Sequence, residues 1–513
     1  MGNVRYLDYK EKALNISNKI NSVTSFFVPE LLSKDYSYVE SLINKDLEPY
    51  RLYLKKLFRV KSHVLSENEE KILSDIADIE NIPSDTYDAL SNVDASFGHI
   101  KDEEGKKVEL TTFNYIGYIS SRDRIVRHNA FMKEYTFYKN HINTISALYI
   151  GNVKKNCILA KTRKYKSALE MALFPDDAPE RLYENLIKIT NKNTKYLRDY
   201  YELKGKSLGY KLHMYDLYVN SSTAPDKKYE YEEAVEIVNK ALSPLGKEYL
   251  EQFNYLLDNG CVDVFPHDKK RSGGYQWGIY GKIPYVSLNY IGTIDSVSTL
   301  AHEMGHAMHS YYSDTNQSFI YAGYTRFLGE IASTVNEILL SNYLFNNTND
   351  VEEKKYYLIE FLDKFKATIY RQVMFAEFED RIHKKYENNE SITPELLCSE
   401  YLHLNKKQFS PAVIVDPYTK YEWARIPHFF DSFYVYKYAT GFISALIIVD
   451  KLMNEKDFKD KYIKFLSSGN TLFPLDLLKS IGIDLTDENV LNKAFDLFNE
   501  KLSMLKELEE GGK

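Results

Sequence analysis

Five residues constrain this chain more than any others: His302-Glu303-Met304-Gly305-His306. Residues four apart on a helix lie about 40° apart around its axis, so both imidazoles point to one side and can share a metal ion. The glutamate beside the first imidazole can take a proton from water without itself coordinating the metal. The pattern therefore asks for a helix over about Ser296 to Tyr312 with one face on a cleft and the other in a core. The bland alternative is a pair of solvent-facing histidines on an amphipathic helix, so the surroundings decide between the two.

A zinc centre built on H-E-x-x-H needs a third protein ligand and keeps a fourth position for water. A metzincin continuation would place glycine three residues and histidine six residues after His306, but those places hold His309 and Tyr312. His309 shares a face with His302 yet sits one turn beyond His306, so it reads as a supporting or packed histidine. The segment Thr325 to Leu340 reads as a helix, apolar apart from Arg326, Glu330, Glu337 and small polar residues. A carboxylate set among Phe327, Leu328 and Ile331 is expensive to bury unless it is paired or metal-bound. Glu330 is thus the expected third ligand. Glu337, seven residues on, either accepts a hydrogen bond from a ligating histidine's other nitrogen or is a plain surface acid.

A second cluster runs from Arg425 to Gly441 and is dense in hydrogen-bond donors. Peptide hydrolysis builds negative charge on the former carbonyl oxygen, which tyrosine hydroxyls and imidazole N–H groups can stabilise. If the segment is helical from about Phe430, Tyr434 and Tyr438 share a face while Tyr436 points away. Packing aromatics would produce the same run in a chain with 44 tyrosines. Upstream, Gly273-Gly274-Tyr275-Gln276-Trp277-Gly278 reads as a glycine-rich loop feeding a strand over Ile283 to Tyr290, with Pro284 marking an edge. An extended peptide can add to an exposed strand edge, which makes Gly273, Gly274, Tyr275 and Tyr285 candidate substrate-binding residues. No phosphate-binding G-x-x-x-x-G-K-[ST] pattern is present in this stretch.

The remainder of the chain reads as mostly α. A capping box, Ser66 with Glu69, opens one helix, a small hairpin is expected around Asp102 to Gly105, and Leu212 to Val219 alternates like a strand. The residues from Lys506 onward read as a frayed tail. The division expected is an N-terminal helical region, 1–115, and a catalytic region, 116–513. A net charge of −7 gives no global electrostatic reason for nucleic-acid or membrane-surface binding. The longest apolar run, Phe442 to Val449, is far short of a bilayer span. Three scattered cysteines and the absence of a basic-then-apolar leader in the first ten positions make the cytoplasm the expected compartment.

Taken together, these blocks resemble the thimet oligopeptidase/oligoendopeptidase F family of zinc peptidases, and the oligoendopeptidase F branch most. The likeness includes Ser272 to Tyr275, Leu300 to His309, the segment bearing Glu330 and Glu337, Tyr370 to Glu379, and Trp423 to Gly441. The resemblance implies His302, His306 and Glu330 as ligands of one Zn2+, Glu303 as general base, and His428 with a following tyrosine at the substrate carbonyl or oxyanion. The spacing from His428 to its tyrosines differs from the thimet branch, which leaves Tyr438 as first choice and Tyr434 as second. It also implies a helical ellipsoid split by a deep substrate channel, a small β-sheet beside the metal helix, and short unstructured peptides as substrates. The N-terminal region looks shortened relative to the family. The rival readings are a zinc carboxypeptidase of similar helical build and a helical peptide-binding protein without catalysis.

Overall fold

Three-to-four apolar spacing dominates the chain, and the described residues fold accordingly as a succession of helices interrupted by five short strands. The computed structural model describes residues 4–223, 225, 227–268 and 270–511. Ser66 and Glu69 form the capping box at the start of helix Glu67–Glu80, with the Ser66 amide donating to the Glu69 carboxylate at 2.9 Å. The hairpin pairs β1 (His99–Lys101) with β2 (Lys107–Glu109), and Gly105 takes a φ of 78° in its turn.

Long helices follow at Arg124–Asn140, Ile142–Thr162, Glu180–Lys192 and Thr194–Leu208. The strand expected over Leu212 to Val219 is instead a tight turn at Met214–Asp216 with one isolated bridge, His213 to Ile414. Burial of Asp216 explains the difference. Its carboxylate lies 2.8 Å from both Arg124 and Arg127 and accepts the His213 amide at 3.0 Å, so the backbone curls around the acid.

The three-stranded sheet consists of β3 (Val262–Asp263), β4 (Tyr275–Trp277) and β5 (Tyr285–Ser287), in the order β3-β5-β4. β5 runs parallel to β3 and antiparallel to β4, with Val286 opposite both Val262 and Gln276. The strand after Pro284 is therefore central, not an edge as its proline suggested. Pro284 immediately precedes β5, where its missing N–H removes no rung of the ladder. The glycine-rich segment is itself the strand whose second edge is left unpaired.

Beside this sheet lies α1 (Ile294–Asn316), capped by Thr293, whose hydroxyl accepts the Ser296 amide at 3.3 Å. Its apolar side, including Val297, Leu300, Met304 and Met308, is fully buried, while His302 and His306 stand on the other side. α1 packs against α2 (Ile331–Asn347), which in turn packs against α4 (Tyr436–Asn454); α3 (Val351–Phe365) lies against α2. The run Phe442 to Val449 is the buried centre of α4. Among the described residues no helix is long and apolar enough to cross a membrane. The C-terminal helix, Glu488–Gly511, continues into the expected tail because Leu502 and Leu505 are buried in the core; residues 512–513 of that tail lie outside the described residues.

Candidate active site

Gly305 sets the distance between α1 and α2. A Cβ at that position would lie 2.6 Å from the Ser333 Cα and 2.8 Å from the Ala332 carbonyl oxygen, so no larger residue fits without moving one helix. Asn336 ties the helices further, donating to the Ala301 carbonyl at 3.0 Å. This close approach carries the first residues of α2 to the imidazoles of α1.

Glu330 caps α2 and does not lie within a helix, contrary to the helix expected from Thr325. Tight turns over Thr325 to Leu328 and Leu328 to Ile331 delay the helix start. The expectation that its carboxylate is embedded among apolar neighbours is also corrected. Phe327, Leu328 and Ile331 are buried, but the Glu330 side chain is 47% exposed and projects from the helix start toward the histidines.

The donor atoms form a nearly equilateral triangle. His302 Nε2 and His306 Nε2 are 3.1 Å apart, and Glu330 Oε2 lies 3.6 Å from the first and 3.5 Å from the second. Nitrogen and oxygen ligands at about 2.0–2.1 Å around a tetrahedral zinc ion lie about 3.4 Å from one another. The three donors therefore fit such an ion with little adjustment. The hydrogen bond from His306, with the nearby imidazoles, holds the Glu330 carboxyl down to about 2.

Glu337 stands behind this triangle. Its Oε1 is 3.3 Å from His302 Nδ1, and Lys364 of α3 binds its Oε2. An Nδ1–H···carboxylate hydrogen bond leaves the Nε2 lone pair of His302 facing Glu330 and His306. Burial opposes charge on Glu337, but the His302 bond and the Lys364 ammonium outweigh it and leave its pKa below the usual value. Glu303, 7% exposed, shows the opposite balance: burial raises its carboxyl despite the two histidines. A raised carboxylate beside a metal site is a better proton acceptor than an ordinary one.

The glycine-rich segment rests directly on Glu303. A Cβ at Gly274 would meet Thr299 Cγ2 at 2.9 Å and Glu303 Oε1 at 3.0 Å. Two residues on, Gln276 Nε2 donates to Ser310 of α1 at 3.0 Å. β4 thus runs along α1, with Gly274 and Gln276 turned toward it. Gly273 precedes the strand at φ 84°, whereas Tyr275 and Tyr285 are exposed.

The helix expected from Phe430 begins at Tyr436. Phe433 adopts φ 58°, a left-handed conformation that interrupts helical propagation. Buried Glu379 accepts the Phe433 amide at 3.0 Å and holds this turn. Even so, Tyr434 and Tyr438 come together, with ring centroids 5.2 Å apart, and His428 Nε2 lies 3.2 Å from the Tyr438 hydroxyl. Tyr436 is buried against Tyr183 and Phe327. α4 passes Glu330 where Gly441 leaves room: a Cβ there would be 3.9 Å from the Glu330 Cβ. Burial lowers the pKa of His428, which favours its neutral form.

His309 is fully buried and stacks on Tyr324 with centroids 3.7 Å apart, a packed histidine outside the donor triangle. Lys364, Asn336 and Gly305 were not singled out from sequence. Only Gly305 carried a local signal, as a helix-disfavouring residue inside a long helix.

An imidazole pair, a carboxylate from the residue preceding the next helix and an acid beside them define a metal-dependent hydrolase of helical build. The chain belongs to peptidase family M3: the family model matches residues 118–497, and the model described as Oligopeptidase F matches residues 30–97. It is a metallopeptidase, a hydrolase of peptide bonds. The Oligopeptidase PepF of Bacillus subtilis is 39% identical over 511 residues, covering 99% of this chain and 76% of that protein. The Group B oligopeptidase PepB of Streptococcus agalactiae is 36% identical, covering 99% and 85%. The crystal structure of oligoendopeptidase-F from Enterococcus faecium superposes with a TM-score of 0.80 at 33% identity, covering 99% of this chain and 88% of that one. The mostly helical architecture accords with that neighbour.

Proposed function

We propose that this chain is a zinc endopeptidase that hydrolyses internal bonds of short, unstructured peptides. The observation that carries the reading is the donor triangle of His302, His306 and Glu330, whose sides of 3.1–3.6 Å suit a tetrahedral ion. When bound, zinc supplies Lewis acidity at this point, acidifying water and polarising a carbonyl.

The rest is done by the chain's own side chains. Glu303 accepts a proton from the attacking water and returns it to the leaving amine. Tyr438, hydrogen-bonded to His428, donates to the carbonyl oxygen as charge develops there, and Tyr434 packs at its side. The unpaired edge of β4 offers backbone hydrogen bonds to an extended substrate, which recognise a peptide without reading its side chains. Gly274, lacking a Cβ, lets the strand approach Glu303, and Gly273 supplies the left-handed backbone that precedes it. Residues 116–513 form the catalytic region and 1–115 the N-terminal helical region, a division supported by the two family models. The names of the relatives support oligopeptides as substrates, and the cytoplasm is the compartment proposed.

The test combines metal analysis with mass spectrometry of a C-terminally amidated decapeptide, with and without chelator. One zinc per chain and chelator-sensitive internal cleavage are expected. A strict carboxypeptidase would leave the amidated peptide intact, and a binding protein would retain zinc and peptide without cutting.

A further inference from the structure

The aromatic residues of this chain are mostly buried, yet three stand in solvent on the strands beside the metal helix: Tyr275 at 47%, Trp277 at 65% and Tyr285 at 51% exposure. Their placement follows from the pleat. Side chains alternate along a strand, and Gln276 of β4 points to Ser310 on α1, as would a Cβ on Gly274 toward Glu303 or on Gly278 toward Ser310, at 3.2 Å. Tyr275 and Trp277 therefore share the opposite face. Tyr285 lies directly across from Trp277 in the antiparallel register and extends that face onto β5.

We infer that this aromatic face selects peptides carrying large apolar or aromatic side chains at alternate positions near the scissile bond. The inference rests on the endopeptidase reading and on a peptide adding to β4. β5 occupies one edge of β4, so an added peptide takes the other. A peptide strand there continues the pleat, and every second side chain emerges on the face of Tyr275 and Trp277. Directly opposed residues on neighbouring strands have Cβ atoms about 5 Å apart, within reach of aromatic rings, and such pairs contribute roughly 0.2–1 kcal/mol each. The intervening side chains point to the α1 side, on which Gly274 and Gly278 let β4 lie close against the helix. Backbone pairing thus gives sequence-tolerant affinity, and the aromatic face adds a period-two preference to it.

The chain contains two tryptophans, and Trp423 is only 2% exposed. Emission from Trp277 is therefore a direct probe of this face. The experiment uses the full zinc-loaded chain and amidated decapeptides of Ala, Lys and Gly in which one Phe is moved through each position. Expected is a rise in kcat/KM at two positions separated by one residue. In Trp277→Ser and Tyr275→Ser, the Phe-to-Ala ratio of kcat/KM at those positions should fall by about 1.4- to 5-fold. Using the ratio cancels any general loss of activity. In the Glu303→Gln background, the preferred Phe peptide should blue-shift the tryptophan emission, and Trp277→Phe should remove that shift. Internal, chelator-sensitive cleavage with no period-two preference, or with a preference unchanged in both serine variants, would overturn this inference alone. A zinc-loaded chain that cleaves no peptide would overturn the endopeptidase reading and this inference with it.

Discussion

His302 Nδ1 lies 3.3 Å from Glu337 Oε1, so the first imidazole of the motif is oriented from behind by a partly buried acid. Lys364 binds the other oxygen of that acid and so keeps the hydrogen-bonding oxygen toward the ring. Removing the charge of such a supporting carboxylate typically weakens metal binding by about 10–100-fold. Glu337→Gln should show that loss in a chelator competition titration. Lys364→Met should weaken zinc in the same direction but less, and Lys364→Arg should restore most of it. Unchanged zinc affinity in Glu337→Gln would remove Glu337 from the site.

Glu303 offers a cleaner separation of metal binding from chemistry, because its carboxylate is outside the donor triangle. Glu303→Gln keeps the shape and removes the basic oxygen. Zinc content should stay at one per chain while kcat falls by roughly 10²–10⁴-fold, the range for a lost general base. Near-normal turnover with zinc bound would exclude Glu303 as the base.

The legibility of these features in sequence follows their physical range. The helix carrying His302, Glu303 and His306, the capping box at Ser66 and the hairpin near Gly105 are local patterns, and each reads directly from spacing. Glu330 was reached through an assumed burial that the structure does not show, since its position depends on tight turns that no periodicity records. The order of β3, β5 and β4 depends on pairing between distant segments, so Pro284 suggested an edge where β5 is central. The start of α4 was hidden for a similar reason: a left-handed Phe433, held by Glu379 from 54 residues away, has no signature in the run of aromatics around it. Lys364 meets Glu337 only because α3 folds back on α2.

Gly305 is where helix packing and the metal site are the same question. Gly305→Ala gains helix propensity but must push Ser333 and Ala332 away, and overpacking of this kind typically costs about 1–3 kcal/mol. The displaced element is the start of α2, which carries Glu330. Expected are a lowered Tm and weakened zinc binding, while Gly105→Ala, at an exposed position in the β1–β2 turn where a Cβ meets nothing, should leave zinc affinity unchanged. A Gly305→Ala protein with normal zinc affinity would mean that the spacing between α1 and α2 does not position Glu330.

Glu379 makes the pH dependence of stability testable away from the metal. It is fully buried and accepts the Phe433 amide, while its Oε2 has no hydrogen-bond partner. Burial raises its pKa well above the usual carboxylate value, so the folded protein holds the proton more tightly than the unfolded chain. Between the unfolded value, about 4.3, and the raised folded value, the folded state binds more protons, and stability falls as pH rises. Below that window both states are protonated and the contribution to the slope vanishes. Glu379→Gln mimics the neutral acid and cannot ionise, so its Tm should rise relative to the parent at pH 8 by more than it does at pH 4. Equal shifts at both pH values would mean that Glu379 ionises alike in the folded and unfolded chain. Because Glu379 holds the Phe433 turn, retention of kcat/KM in the variant would also show that its hydrogen bond to that amide, not its charge, sets the approach of Tyr434 and Tyr438.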